Sequence, residues 1–179
     1  MTTSDIVTNF ILFQIGWFAC VLSSAANQPV WGVIVAVVVI GYHLMRAVKP
    51  LPELYLIMIA MLIGAMWDSL LMALGLLDYT SGILFPNVAP YWIVVMWALF
   101  ATTINVSLRW LKEKYRLAII LGAGAGPLAY YGGVKLGAVS FIDTNTALIV
   151  LALGWALFTP LLVAISKDID GYREAEAEI

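Results

Sequence analysis

A carboxylate set inside an apolar run is the first residue of this chain to need a chemical explanation: Asp68, in Met66-Trp67-Asp68-Ser69-Leu70. Placing an aspartate in mid-bilayer costs about 2.5–3.5 kcal/mol on insertion scales, so a partner, a proton or water must offset it. One reading makes Asp68 a substrate, ion or proton site; the other makes it a hydrogen-bonding strut between helices. Gln14 and Thr102 sit at similar depth in the first and fourth apolar runs. Lys135 lies outward in the fifth, about 8 Å from Asp68 in depth at ~1.5 Å per residue. Its stem would allow an ion pair with Asp68, while snorkelling to the membrane surface is the plainer reading.

Thr102, Asn105 and Arg109 follow i, i+3, i+7 spacing and so share one helical face, with Asn9 at the depth of Asn105. That row would either guide a polar headgroup inward or join helices by hydrogen bonds. Gly122-Ala123-Gly124-Ala125-Gly126-Pro127 puts small residues and a proline in mid-helix. Pro127 removes a backbone donor. The segment is then either a kink in a tightly packed helix or an unwound break whose half-helix amino end attracts an anion. Trp17, Trp67, Trp97 and Trp155 fall near mid-helix, where they would line a cavity for an acyl chain or fill the core. His43, beside Arg46, reads as surface-facing.

The elements that position these residues are membrane helices. The chain has 179 residues, 63% of them hydrophobic and 11% charged, against about 25% charged in soluble domains. Six apolar stretches, at about 6–25, 30–45, 54–77, 91–111, 117–138 and 144–166, meet or approach the ~17–25 residues of a spanning helix. They are too long and too evenly apolar for barrel strands. Pro29 opens the second as a first-turn proline, and Lys49-Pro50-Leu51-Pro52 reads as the break before the third. With six crossings, Arg46, Lys49, Arg109, Lys112, Lys114, Arg116, Lys167 and Arg173 fall on the side of the amino terminus and Lys135 on the other. The positive-inside rule then puts both termini in the cytoplasm. Trp31, Trp92, Trp110, Tyr55, Tyr91 and Tyr115 form the expected interfacial belts. The whole is expected to be one all-α transmembrane domain over residues 1–179, with a short acidic tail at 167–179. Its first run lacks the basic flank of a cleaved signal peptide and reads as a retained anchor.

Other chemistries lack their residues. One cysteine, Cys20, and one histidine exclude an internal disulfide, a multi-cysteine metal site and a histidine-rich di-iron or bis-histidine haem centre. No HExxH, P-loop or GxSxG motif occurs. Asp68 is the one acid placed in mid-membrane, so paired-carboxylate catalysis has no second member. No catalytic residue, metal or cofactor is assigned, and a non-enzymatic role is favoured. The net charge of -2 gives no support to a nucleic-acid partner.

Four segments carry a resemblance: Phe13-Gln14-Ile15-Gly16-Trp17, Trp67-Asp68-Ser69-Leu70, Thr102 through Trp110, and Gly126-Pro127-Leu128-Ala129-Tyr130. They resemble an uncharacterised family of small bacterial inner-membrane proteins, the domain of unknown function twenty-eight seventy-eight. The resemblance implies a multi-pass inner-membrane protein and, by association with fatty-acyl-modifying enzymes, a lipid-related role. It carries no catalytic residues.

The leading expectation is a protein that binds or moves a lipid or other amphipathic molecule in a lipid-modification or envelope-stress system. Its ligand residues would be drawn from Asp68, Gln14, Trp67, Trp17, Thr102, Asn105, Gly126, Pro127 and Lys135. Its partners would be the lipid bilayer, the amphipathic ligand and a membrane-associated lipid-modifying enzyme. The rivals are a small-solute transporter coupled to protons through Asp68, and a structural or assembly subunit of a membrane enzyme complex.

Overall fold

A computed structural model describes residues 2–172, so the residues of the acidic tail beyond Tyr172 lie outside the described part. The described residues form six α-helices: α1 (Thr3–Ala25), α2 (Pro29–Arg46), α3 (Pro50–Ala73), α4 (Tyr91–Ile104), α5 (Tyr115–Lys135) and α6 (Thr144–Asp168). Local chemistry starts them. Thr2 and Asp5 make a reciprocal capping box on α1, and the Asp143 side chain accepts from the Thr146 amide to cap α6. Pro29 and Pro50 occupy first-turn positions of α2 and α3, where a missing N–H leaves no bond unmade.

Two helices differ from their expected limits. α3 begins at Pro50 and ends at Ala73, four residues before the expected position at each end, because the Pro50-Leu51-Pro52 segment is the first turn and not a break. Asp68 therefore lies five residues from the end of α3, roughly 8 Å in depth at 1.5 Å per residue, and not near its centre. α4 stops at Ile104 and not at residue 111; Asn105 caps it, and a 3₁₀ turn at Arg109–Leu111 follows. At 14 residues α4 is about 21 Å long, short of a ~30 Å hydrocarbon core. It tolerates this because its neighbours enclose it: ten of its residues are buried. Irregular backbone at membrane depth is allowed where protein covers it. Asn9 of α1 supplies that cover, donating to the Thr102 carbonyl at 3.1 Å and accepting from the Ser107 amide at 3.4 Å.

α1 packs on α2, α3 on α4 and α5 on α6, and α4 runs through the middle against α1 and α2. A two-stranded antiparallel ladder, β1 (Leu77–Tyr79) and β2 (Val139–Phe141), ties the α3–α4 connection to the α5–α6 connection. Tyr79 pairs with Val139 in that ladder.

The outward faces are apolar. Phe10, Phe18, Val38, Leu62, Met66, Ile120, Leu128, Ile149 and Leu153 are all exposed, a coat that only lipid can solvate. Five helices are long and apolar enough to cross a membrane, and α4 is a shorter apolar sixth. The protein is a polytopic membrane helix bundle. One end gathers the basic residues: Arg46 pairs with Asp5, Lys112 and Arg109 with Asp170, and Lys167 with Glu113. The start of α1 and the end of α6 lie at that end, as an even number of crossings requires. Of the expected belt residues, Trp31, Trp110, Tyr55 and Tyr115 are exposed, whereas Trp92 is a core residue whose indole donates to the Ser81 carbonyl at 3.0 Å.

Candidate functional site

Asp68 is fully buried and faces its sister helices. One carboxylate oxygen accepts the Tyr79 hydroxyl at 2.6 Å and the Tyr130 hydroxyl at 2.8 Å; the other accepts the Trp97 indole N–H at 2.8 Å. Three donors, from β1, α5 and α4, thus converge on one carboxylate from α3. This arrangement satisfies the group without a cation. Lys135 takes no part: it is exposed, with its ammonium 5.1 Å from the centre of the Tyr131 ring.

In front of this cage lies a cavity of about 510 Å³ between α1 and α5, floored by α4 and backed by α6, within the ~300–1,000 Å³ usual for ligand sites. Phe10, Phe13, Gln14, Trp17 and Val21 line it from α1, and Leu121, Ala125, Gly126, Leu128 and Ala129 from α5. The α4 residues Met96, Trp97 and Phe100 form its floor, with Trp155 and Thr159 of α6 behind. It is a lateral groove, because Phe10, Leu121 and Leu128 at its rim are also exposed on the lipid-facing surface. From Phe10 to Val21 it extends eleven residues along α1, roughly 16 Å. Among the described residues, no acidic, basic or histidine side chain lines it. Tyr130, Tyr79 and Trp97 do line it, but their polar atoms point to Asp68 and leave ring surface to the groove.

The back wall depends on glycine. A Cβ on Gly126 would overlap the Trp155 ring, and one on Gly122 would overlap the Trp155 carbonyl and the Thr159 hydroxyl. α5 and α6 therefore approach at backbone distance, and Trp155 stacks on Trp97 with centroids 4.6 Å apart. Gly126→Val should cost about 1–3 kcal/mol by overpacking, read as a lower thermal midpoint in detergent; Gly124→Val, at a position with open space around it, should not.

The structure sorts the candidate residues. Gln14, Trp17 and Gly126 line the groove. Asp68 stands behind its wall as the acceptor that orients Trp97 and Tyr130. Pro127 is buried within a continuous α5, so the helix carries no unwound anion site there: the rest of its backbone ladder and the α6 contact hold it together. Trp67 packs edge-on to Phe158 and against Gly154, outside the groove. The Thr102 hydroxyl donates to the Leu99 carbonyl within its own helix. Thr102, Asn105 and Arg109 do not form one helical row, because α4 has ended by Asn105.

Asn105 belongs to a second polar centre, at the basic end, that the sequence reading did not find. Glu53, in the first turn of α3, is 1% exposed. Its Oε2 lies 2.7 Å from His43 Nε2, and its Oε1 accepts the Asn105 amide and the Gly171 N–H, each at 2.7 Å. His43 is 3% exposed and does not face the surface: helix α2 turns it toward α3. Tyr172 covers it, donating to the His43 carbonyl at 2.7 Å. Burial, then the Glu53 carboxylate, push the Tyr172 hydroxyl above its ordinary range, so it remains a donor. A carboxylate and an imidazole flanking the short α2–α3 turn were the available sequence signal.

A helix bundle with a lateral, charge-free groove and a caged carboxylate behind it defines a class of polytopic membrane protein. The family model described as "Protein of unknown function (DUF2878)" matches residues 6–161, and the chain belongs to that family. No curated protein and no solved structure matches the chain.

Proposed function

We propose that this protein holds a lipid or another amphipathic molecule of the bilayer in the groove between α1 and α5, with its basic end in the cytoplasm of a bacterial inner membrane. The observation that carries the reading is the groove itself. It opens sideways onto the lipid-facing coat, so the molecules that reach it first are those already in the membrane. Its walls are mostly aromatic and aliphatic, and no charged side chain among the described residues lines it to bind an ion. The concentration of lysine and arginine at one end supports the orientation.

Ala125 lines the groove from α5 and is exposed toward it, so a larger side chain there fills the space without entering the core. Ala125→Phe should leave the thermal midpoint near that of wild type and remove most of the lipid that co-purifies with the protein in mild detergent, counted by mass spectrometry. Equal lipid content in the two proteins would refute the proposal.

A further inference from the structure

Resting on that reading, we infer that the ligand is a neutral long-chain lipid carrying a carbonyl or hydroxyl oxygen, which Gln14 meets at the centre of the bilayer. α1 runs from Thr3 to Ala25, and Gln14 is its midpoint, eleven residues from each end. Its side chain lines the groove, is partly buried, and makes no hydrogen bond within the described residues. An amide without a partner in an apolar medium is costly, and water is absent at that depth. The group that satisfies Gln14 must therefore come from what occupies the groove.

The energetics of the surroundings point the same way. Moving a hydrocarbon chain from the bilayer into an apolar groove gains little, since lipid tails are as apolar as the walls. Selectivity has to come from shape and from the rare polar contact. An amide both donates and accepts, so it suits a ketone, an ester carbonyl or an alcohol alike. A charged headgroup is disfavoured at this level, because among the described residues no side chain of opposite charge lines the groove. A phospholipid would place only methylenes against Gln14 and leave its amide unmatched. Behind the same wall the Thr159 hydroxyl and the Trp155 indole N–H are also without partners among the described residues.

The test uses tryptophan fluorescence of the whole protein in phosphatidylcholine vesicles, because Trp17, Trp97 and Trp155 line the groove and bromine quenches indoles on contact. Four dibrominated probes are titrated: an octadecanol, an octadecanone, octadecane, and a phosphatidylglycerol. The alcohol and the ketone should quench saturably at bilayer fractions about tenfold lower than octadecane, the scale of one net hydrogen bond. Gln14→Leu should erase that difference while octadecane quenching stays as it was. Alcohol against ketone separates the two possible oxygens. Octadecane matching both in wild type, or a preference that survives Gln14→Leu, would overturn the inference while leaving the lipid-groove reading intact, as would a phosphatidylglycerol that outcompetes the neutral probes. Saturable quenching by none of the four would remove that reading as well.

Discussion

Asp68→Ala lowers the thermal unfolding midpoint of the purified protein by about 6–20 °C, from a loss of about 3–5 kcal/mol at roughly 2–4 °C per kcal/mol. The reasoning runs through the groups left behind. Two tyrosine hydroxyls and one indole N–H lose their shared acceptor in a buried position. Hydrogen bonds to a charged group each contribute about 1.5–3 kcal/mol, and orphaning a buried donor costs its full desolvation. Asp68→Asn is the instructive companion. Its carbonyl oxygen accepts the Trp97 indole N–H, which can only donate, and its NH₂ turns to the tyrosine hydroxyls, which can accept from it but lose the acceptor for their own protons. It should lose about 2–3 kcal/mol, on the scale of one such bond. Tyr79→Phe and Tyr130→Phe remove one donor each and should cost less than either.

The same variants separate the roles considered for Asp68. As a strut behind the wall, it changes stability and leaves the lipid bound to the folded fraction unchanged. A proton-coupling role predicts the reverse: near-native stability with altered ligand behaviour. Differential scanning of both variants, paired with lipid counts on the folded peak, decides between them. A wild-type midpoint for Asp68→Ala would mean that the three bonds do not hold the outer end together.

How much of this was legible in the sequence follows from which forces are local. Helix number and class were legible because composition alone rules out water as the solvent for these apolar runs. Pro29 at the first turn of α2 was legible for a similar reason, since a proline's missing N–H is harmless only there. Pro50 has the same explanation, yet it read as a break because a second proline follows at residue 52 and obscured the start of α3. The end of α4 was hidden by apolar residues continuing through Ile104, Val106 and Leu108, while Asn9, nearly a hundred positions earlier, is what stabilises the exit at Asn105. Gln14 stood out because an amide in oil is rare; that it lines a void did not, because the void is a gap between helices 1 and 5. Neither helix encodes the other's distance. His43 looked like a surface residue because it sits near a turn, and nothing local marked Glu53; burial at a helix end depends on the chain that covers it. Here the cover is Gly171 and Tyr172.

That cover supplies the second large effect. Glu53→Ala should destabilise the protein by about 3–5 kcal/mol, since it leaves the buried His43 Nε2 without its partner and the buried Asn105 amide with only the Ile169 carbonyl at 3.2 Å. It should also release the segment after α6. The Gly171 amide loses its carboxylate acceptor, and a charge-assisted bond of about 1.5–3 kcal/mol corresponds to roughly 10–100-fold faster hydrogen exchange there. Asp170 keeps its pairs with Arg109 and Lys112, so exchange at the end of α6 should stay close to wild type and the change should be confined to the turn at Gly171 and Tyr172. Replacing both partners at once sharpens the point. Glu53→Leu with His43→Leu removes the charge together with the group that needs it, and should be less damaging than Glu53→Ala alone. A double variant that loses more than the single one would show that the pair contributes stability beyond satisfying itself, and that the basic end is held by the His43–Glu53 hydrogen bond and not by the packing around it.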